Sequence, residues 1–354
     1  MALIGLPTTT NDFQLVCLLL AVVLLIWDTI EVGRNDAANL INAVIGARVL
    51  RRRVALAIAS VAVVLGAVLS SDVVDTARKG IFDPTALGTL EAALAVYISV
   101  YIVDTALLYG YSAFGMPIST TACLVFELLG ASMAVNIGAV HWDKAGIVLL
   151  GIVCSIILTG FAAFLIQRAV RGAIRDRAAN LSTLLLHGGW IGGGMAAGLC
   201  YFLLLKGMKN VGWVGQFNSW LHELDRAGDA NLSSGLVLLT MWGVFAIVIH
   251  VLLVVYRKRA AKLLFPSLAV LGMIAMAFAF GQNDLANCAS PGLAVVTLLQ
   301  EQSLEIGTEV PIAGWMLLVS GVLLTVGMMS RNAQRVTKAT ISTGSMGDHV
   351  VLWA

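Results

Sequence analysis

The string Gly33-Arg34-Asn35-Asp36-Ala37-Ala38-Asn39 closes one long apolar run, and Gly281-Gln282-Asn283-Asp284-Leu285-Ala286-Asn287 closes another in the second half of the chain. Five of the seven positions are identical: Gly, Asn, Asp, Ala and Asn. Carboxylates and carboxamides at membrane depth are costly unless they bind a ligand or one another, so the pair reads first as a functional site. The glycine that opens each copy is a place where an apolar helix can break and turn its backbone toward a cavity.

The runs around these strings belong to a chain that is 59% hydrophobic and 12% charged, with a mean hydropathy of +0.92. Soluble domains carry about 25% charged residues, so the expected class is an all-α, polytopic helical membrane protein. A nucleic-acid partner is not expected, and the net charge of +2 says little, because orientation depends on where Lys and Arg fall. Cys17, Cys123, Cys154, Cys200 and Cys288 are scattered singly and read as small core residues. His141, His187, His222, His250 and His349 have no metal-ligand spacing. The first apolar run leads straight into the first motif rather than to a small-residue cleavage site, so no cleavable signal peptide is expected.

Spans are predicted at 13–32, 54–73, 90–109, 145–167, 184–205, 235–256, 264–281 and 312–329, with a further apolar stretch ending at Val135. Three basic clusters mark the cytoplasmic side: Arg48 to Arg53, Arg168 to Arg177, and Arg257 to Lys262. A polar connection runs from Ser71 to Pro84, with Asp72, Asp75, Arg78 and Lys79. The first motif span ends before a basic cluster, whereas the second begins beside one. The loop after the second motif holds Glu301, Glu305 and Glu309 without Lys or Arg, and the next span leads to Arg331, Arg335 and Lys338. The two motif helices are therefore expected to point in opposite directions. Inverted repeats with broken helices meeting near the midplane are the pattern of a secondary transporter. The expected division is a first repeat at 12–140, connecting helices at 141–262, and a second repeat at 263–354. Within the connector, glycines 188, 189, 192, 193, 194 and 198 would allow close helix approach. There too, Trp213, Phe217, Trp220, Leu221 and Leu224 share one apolar face and predict a short helix in the outer interface.

Between the spans lies Gly115-Met116-Pro117-Ile118-Ser119-Thr120-Thr121. Pro117 favours a helix start just after it. Ser119, Thr120 and Thr121 then fall in a first turn beside free backbone N–H groups and the positive end of the dipole. This describes an anion site or an ordinary helix cap.

Both heptapeptides resemble the Gly-x-Asn-Asp-x-Ala-Asn signature of the inorganic phosphate transporter (PiT) family. Pro117-Ile118-Ser119-Thr120-Thr121 resembles that family's Pro-x-Ser-Thr-Thr element, and Cys288-Ala289-Ser290-Pro291 also fits. The resemblance covers nearly the whole chain. It implies import of phosphate across the cell membrane of a bacterium or archaeon by symport with Na⁺ or H⁺, and no enzymatic activity or cofactor. It also implies a re-entrant or half-helix Pro-Ser-Thr-Thr element. Carried over by position, Asn35, Asp36, Asn39, Ser119, Thr120, Thr121, Asn283, Asp284 and Asn287 would form the substrate and ion sites. Three departures stand out: Arg34 in place of a small residue, Ala122 where His is frequent, and no second Pro-Ser-Thr-Thr element. By the spacing in the first copy its partner would fall beyond Ala354, while Ile341-Ser342-Thr343-Gly344 comes too early and lacks the proline. The expectation is a fragment lacking the end of the second repeat.

A multiply charged oxyanion needs compensation in a low-dielectric site. Asp36 and Asp284 would either hold Na⁺ together with Asn carbonyls or accept hydrogen bonds from phosphate P–OH groups. The second role favours phosphate over sulfate, which has no OH to offer near neutral pH. Sulfate or another tetrahedral oxyanion is the alternative substrate. An intramembrane aspartyl protease also needs paired aspartates, but a repeated, Asn-flanked motif suits symmetric ligand binding better. A passive anion channel would want a cationic or neutral lining. Arg34 is either a substrate ligand or the partner of Glu31 one turn earlier, and the ion pair is favoured. Glu127 is a candidate proton relay or interhelical hydrogen-bonding group, while Asp28 and Asp104 read as structural. A second copy of the chain is a further candidate partner.

Overall fold

The computed structural model describes residues 11–70, 81–174, 180–208, 211–227, 233–304, 314–331, 333–334 and 337. Ser71 to Lys79, Arg175, Arg177, Glu305, Glu309, Arg335, Lys338, the 341–344 stretch and His349 lie outside them. Among the described residues the chain is helical, with no strand and one isolated bridge between Phe82 and Val140.

The helices are α1 (Asp12–Gly46), α2 (Arg52–Val68), α3 (Leu90–Ala113), α4 (Thr120–Val135), α5 (Trp142–Ile174), α6 (Leu181–Tyr201) and α7 (Gly212–Ala227). A helical stretch Ser233–Glu301 follows. Arg257, at φ 41 and ψ −115, divides it into α8 (233–256) and α9 (258–301), at the basic cluster where a span was expected to end. The last helix is α10 (Gly314–Met329). Among the described residues, five stretches are long and apolar enough to cross a membrane: Asp12–Gly46, Leu90–Ala113, Trp142–Ile174, Leu181–Leu205 and Ser233–Glu301. The apolar flanks of α5 are uncovered: Ile147, Leu150, Ile156 and Phe161 are all exposed. Apolar surface that continuous is stable only against lipid or another apolar partner. This is a helical membrane protein.

The expected helix breaks at Gly33 and Gly281 do not occur: α1 and α9 run through both motifs without a non-helical residue. The glycines do something else. A Cβ on Gly33 would collide with the Leu324 carbonyl of α10, and one on Gly281 would collide with the Val63 carbonyl of α2. Gly327 of α10 likewise sits against the Ile30 carbonyl of α1. Missing side chains let these backbones touch, the usual device where lipid offers no hydrophobic drive between helices.

The helices gather into two compact units. One comprises Met1–Asn42, Leu56–Ile152 and Ala279–Ala354; its core joins Leu18 and Ala21 of α1, Leu94 and Tyr97 of α3, Leu124 and Leu128 of α4, and Ala294 and Leu298 of α9. The other comprises Ala43–Ala55 and Val153–Phe278. There the glycines of α6 do allow close approach: a Cβ on Gly193 would lie 2.6 Å from the Ala246 backbone of α8. Trp242 Nε1 also donates to the Trp190 carbonyl at 2.8 Å. On α7 the expected single apolar face is divided. Val214 and Leu221 are buried, whereas Trp213 and Trp220 are exposed.

Candidate functional site

The site lies in the first unit, where α1 and α9 meet the start of α4. Gly115, at φ 76, turns the chain out of α3, and Pro117 leads into α4. Ser119 is the N-cap, its hydroxyl accepting from the Ala122 N–H at 3.3 Å. The N–H groups of Thr120 and Thr121 have no intrahelical acceptor and carry the positive end of the helix dipole.

The first motif grips the segment ahead of that turn. Asn35, fully buried, donates from Nδ2 to the Ile118 carbonyl at 2.8 Å and accepts from the Ile118 N–H at 3.0 Å. A carboxamide bonded to both backbone groups of one residue fixes that residue's position and orientation together. Asn35 Nδ2 also reaches Asp36 Oδ2 at 3.2 Å, and Asn39 donates to Asp36 Oδ1 at 2.8 Å.

The second motif grips the turn itself. Thr120 Oγ1 donates to Asp284 Oδ1 at 2.6 Å, a short charge-assisted bond. Asn287 Nδ2 points at three acceptors: Thr121 Oγ1 at 2.9 Å, Thr120 Oγ1 at 3.2 Å and Asp284 Oδ1 at 3.3 Å. Residues Ile118 to Thr121 are thereby held from both sides by residues far apart in the chain. Asp36 and Asp284 come close enough to repel one another electrostatically. Two like charges so placed need donors, a proton or a cation between them. Each has donors, but Asp284 Oδ2 accepts no side-chain hydrogen bond among the described residues.

Eight of the nine expected site residues are joined by these hydrogen bonds or lie in the turn they hold, with unequal exposure. Asn35, Thr120 and Asn287 are buried and spent on anchoring. Asp36 and Asp284 are half-buried, and Asn39, Ser119, Thr121 and Asn283 are exposed. Asn283 makes no side-chain hydrogen bond among the described residues. Arg34 forms the expected ion pair with Glu31. It also lies 5.0 Å from the centre of the Tyr109 ring, and Trp27 Nε1 donates to the same glutamate at 3.1 Å.

Tyr101 of α3 is a residue that sequence reasoning overlooked. Its hydroxyl donates to the Cys288 carbonyl at 2.6 Å and accepts from the Gly292 N–H at 2.9 Å. Those two groups are four residues apart in α9, so Tyr101 bonds to both ends of one rung just beyond the second motif. The only hint in sequence is Pro291, which disturbs the same turn.

Comparison with known proteins places the chain among phosphate transporters. Residues 32–343 match the Phosphate transporter family. A protein of Pyrococcus horikoshii named as a candidate phosphate permease is 26% identical over 327 residues, covering 88% of this chain and 76% of the relative. A similarly named protein of Haemophilus influenzae is 25% identical over 323 residues, covering 88% and 73%. A solved structure titled "The sodium-dependent phosphate transporter" shares the fold with a TM-score of 0.72 at 21% identity, over 93% of this chain and 78% of that one. With two motifs converging on one hydroxyl-bearing turn and a family match across most of its length, the chain belongs to the phosphate transporter family.

Proposed function

We propose that this protein is a secondary active transporter that imports inorganic phosphate across the cell membrane by symport with Na⁺ or H⁺. The observation that carries the proposal is the double hold on Ile118 to Thr121, by Asn35 on one side and by Asp284 with Asn287 on the other. The free N–H groups and exposed hydroxyls of Ser119 and Thr121 suit an oxyanion. The free Oδ2 of Asp284 suits either a P–OH group or a coordinated cation. The name of the like-folded sodium-dependent phosphate transporter makes Na⁺ the first ion to test.

The motif helices are proposed to belong to inverted repeats. In support, each motif glycine seats on the helix that follows the other motif: Gly33 of α1 on α10, and Gly281 of α9 on α2. α4 is proposed to be a half-helix. Its 16 residues span about 24 Å, less than the roughly 30 Å hydrocarbon core.

The test is uptake of radiolabelled phosphate into proteoliposomes, with Na⁺ and pH gradients imposed separately. Accumulation should follow one gradient, arsenate should inhibit, and sulfate should not. Asp36→Asn and Asp284→Asn should each abolish coupled uptake while leaving insertion intact. Inhibition by sulfate without inhibition by arsenate would overturn the substrate assignment.

A further inference from the structure

A second polar cluster stands one turn along α4 from the phosphate site and takes no part in it. Asp104 of α3 and Cys123 and Glu127 of α4 offer one ligand atom each, all within 4.8 Å of one another. Behind them Asp28 of α1 is fully buried, its Oδ2 without a hydrogen-bond partner, and it lies within hydrogen-bond reach of Asp104. Asp28 Oδ1 accepts from Thr105 Oγ1 at 3.3 Å. Asp104 Oδ1 and both carboxylate oxygens of Glu127 are also unpartnered. No Lys or Arg pairs with any of the three carboxyls among the described residues. Acceptor atoms facing one another in an apolar interior are expensive unless a proton or a cation lies between them.

We propose that Asp104, Cys123 and Glu127, backed by Asp28, bind a divalent cation of borderline softness, Zn²⁺ or a close relative such as Co²⁺. Carboxylate oxygens alone would suit Na⁺ or Mg²⁺. The sulfur is what selects, because thiolate with carboxylate favours Zn²⁺-class ions over hard ones. Tetrahedral Zn²⁺ with bonds of about 2.0–2.3 Å sets its ligands roughly 3.5 Å apart, so this cluster must close by about an ångström around the ion. Binding displaces the thiol proton, and the metal then carries the sulfur as thiolate. An entry path exists: a groove of about 640 Å³ is lined by Cys123 and Glu127 and extends to Ile118 and Ser119 at the phosphate site. Occupancy would tie α4 to α3 directly beside the turn that the two motifs hold.

The assay is Co²⁺ titration of the purified chain in detergent, followed by the near-ultraviolet sulfur-to-Co²⁺ charge-transfer band. The band should saturate at one Co²⁺ per chain and be displaced by Zn²⁺. It should vanish in Cys123→Ser and persist in Cys154→Ser, whose thiol is exposed elsewhere. Glu127→Gln should keep the band but weaken affinity at least about tenfold. This variant also serves if Cys123→Ser fails to fold. A band that survives Cys123→Ser, a Co²⁺ affinity unmoved in Glu127→Gln, or no saturable band in the parent chain would overturn the proposal. Phosphate uptake does not enter the readout, so failure here leaves the transport assignment untouched.

Discussion

Replacing Gly33 or Gly281 by alanine tests the packing that positions both motifs. The added methyl falls within the van der Waals shell of a carbonyl oxygen, Leu324 for Gly33 and Val63 for Gly281. Backbone cannot rotate aside as a side chain can, so the crossing helices must part. Overpacking of a tight contact costs about 1–3 kcal/mol, and alanine returns up to about 1 kcal/mol in helix propensity. With a rigid neighbour the net loss should lie near 2 kcal/mol per site, and the two sites, having separate partners, should roughly add. Gly151→Ala is the control: nothing lies within 4 Å of its Cβ position, so only the propensity gain remains. Thermal unfolding in detergent should therefore rank Gly151→Ala at or above the parent chain, each single motif variant below it, and the double variant lowest. Uptake should fall in Gly33→Ala even where the protein is folded, because shifting α1 moves Asn35 off Ile118. Melting of either motif variant at or above the parent temperature would refute the close approach.

Thr120→Val keeps the side chain's shape but removes the donor to Asp284 and an acceptor of Asn287. A hydrogen bond to a charged group is worth about 1.5–3 kcal/mol, so phosphate affinity should fall by about tenfold or more, with Thr120→Ser close to the parent; equal affinity in Val would remove the hydroxyl from the site. Tyr101→Phe strands the Cys288 carbonyl and the Gly292 N–H, at about 1–3 kcal/mol, and should raise amide exchange around residues 288–292; unchanged protection there would refute its role in the α9 ladder. Asp83, in the connection before α3, accepts from the Thr85 hydroxyl and N–H at 2.7 and 2.9 Å, which holds its carboxyl below the usual carboxylate range. A lowered folded-state value stabilises above the unfolded one and is lost as pH falls through it. The melting difference between the parent chain and Asp83→Ala should thus be present at neutral pH and shrink on acidification, and a pH-independent difference would contradict the cap.

The membrane class, the places of most helices and the two motifs were legible because hydropathy and repetition are properties of the chain itself, whereas α2 and α10, expected as full spans, have 17 and 16 described residues. The hold of Asp284 on Thr120 was legible only as membership in one site. Its partners are 164 positions apart, and no local pattern encodes which carboxylate meets which hydroxyl. The motif glycines were misread for a physical reason. A glycine in an apolar helix signals either a break or a close approach, and only the neighbour's position decides between them. Tyr101 left almost no trace, since one tyrosine among apolar residues of α3 looks like core until the Cys288 carbonyl and Gly292 N–H of α9 are seen beside it. Asp28, Asp104 and Glu127 were legible singly as intramembrane acids, but not as a group, because they come from three helices.

Sequence identity between the motif copies does not make them equivalent in role. Asn35 is buried on the Ile118 backbone, while its counterpart Asn283 is exposed; Asn39 is exposed, while its counterpart Asn287 is buried on the hydroxyls of Thr120 and Thr121. One helix start takes the leading asparagine from the first copy and the trailing asparagine from the second. The carboxamides it does not use, Asn39 beside Asp36 and Asn283 beside Asp284, are the ones left open. An arrangement built this way separates its duties: the buried amides set the geometry of α4, and under the proposed function the exposed amides and the two carboxylates are the groups placed to meet an ion and an oxyanion. Each copy of the motif thus gives one asparagine to the scaffold and leaves one exposed, and the position of α4 decides which.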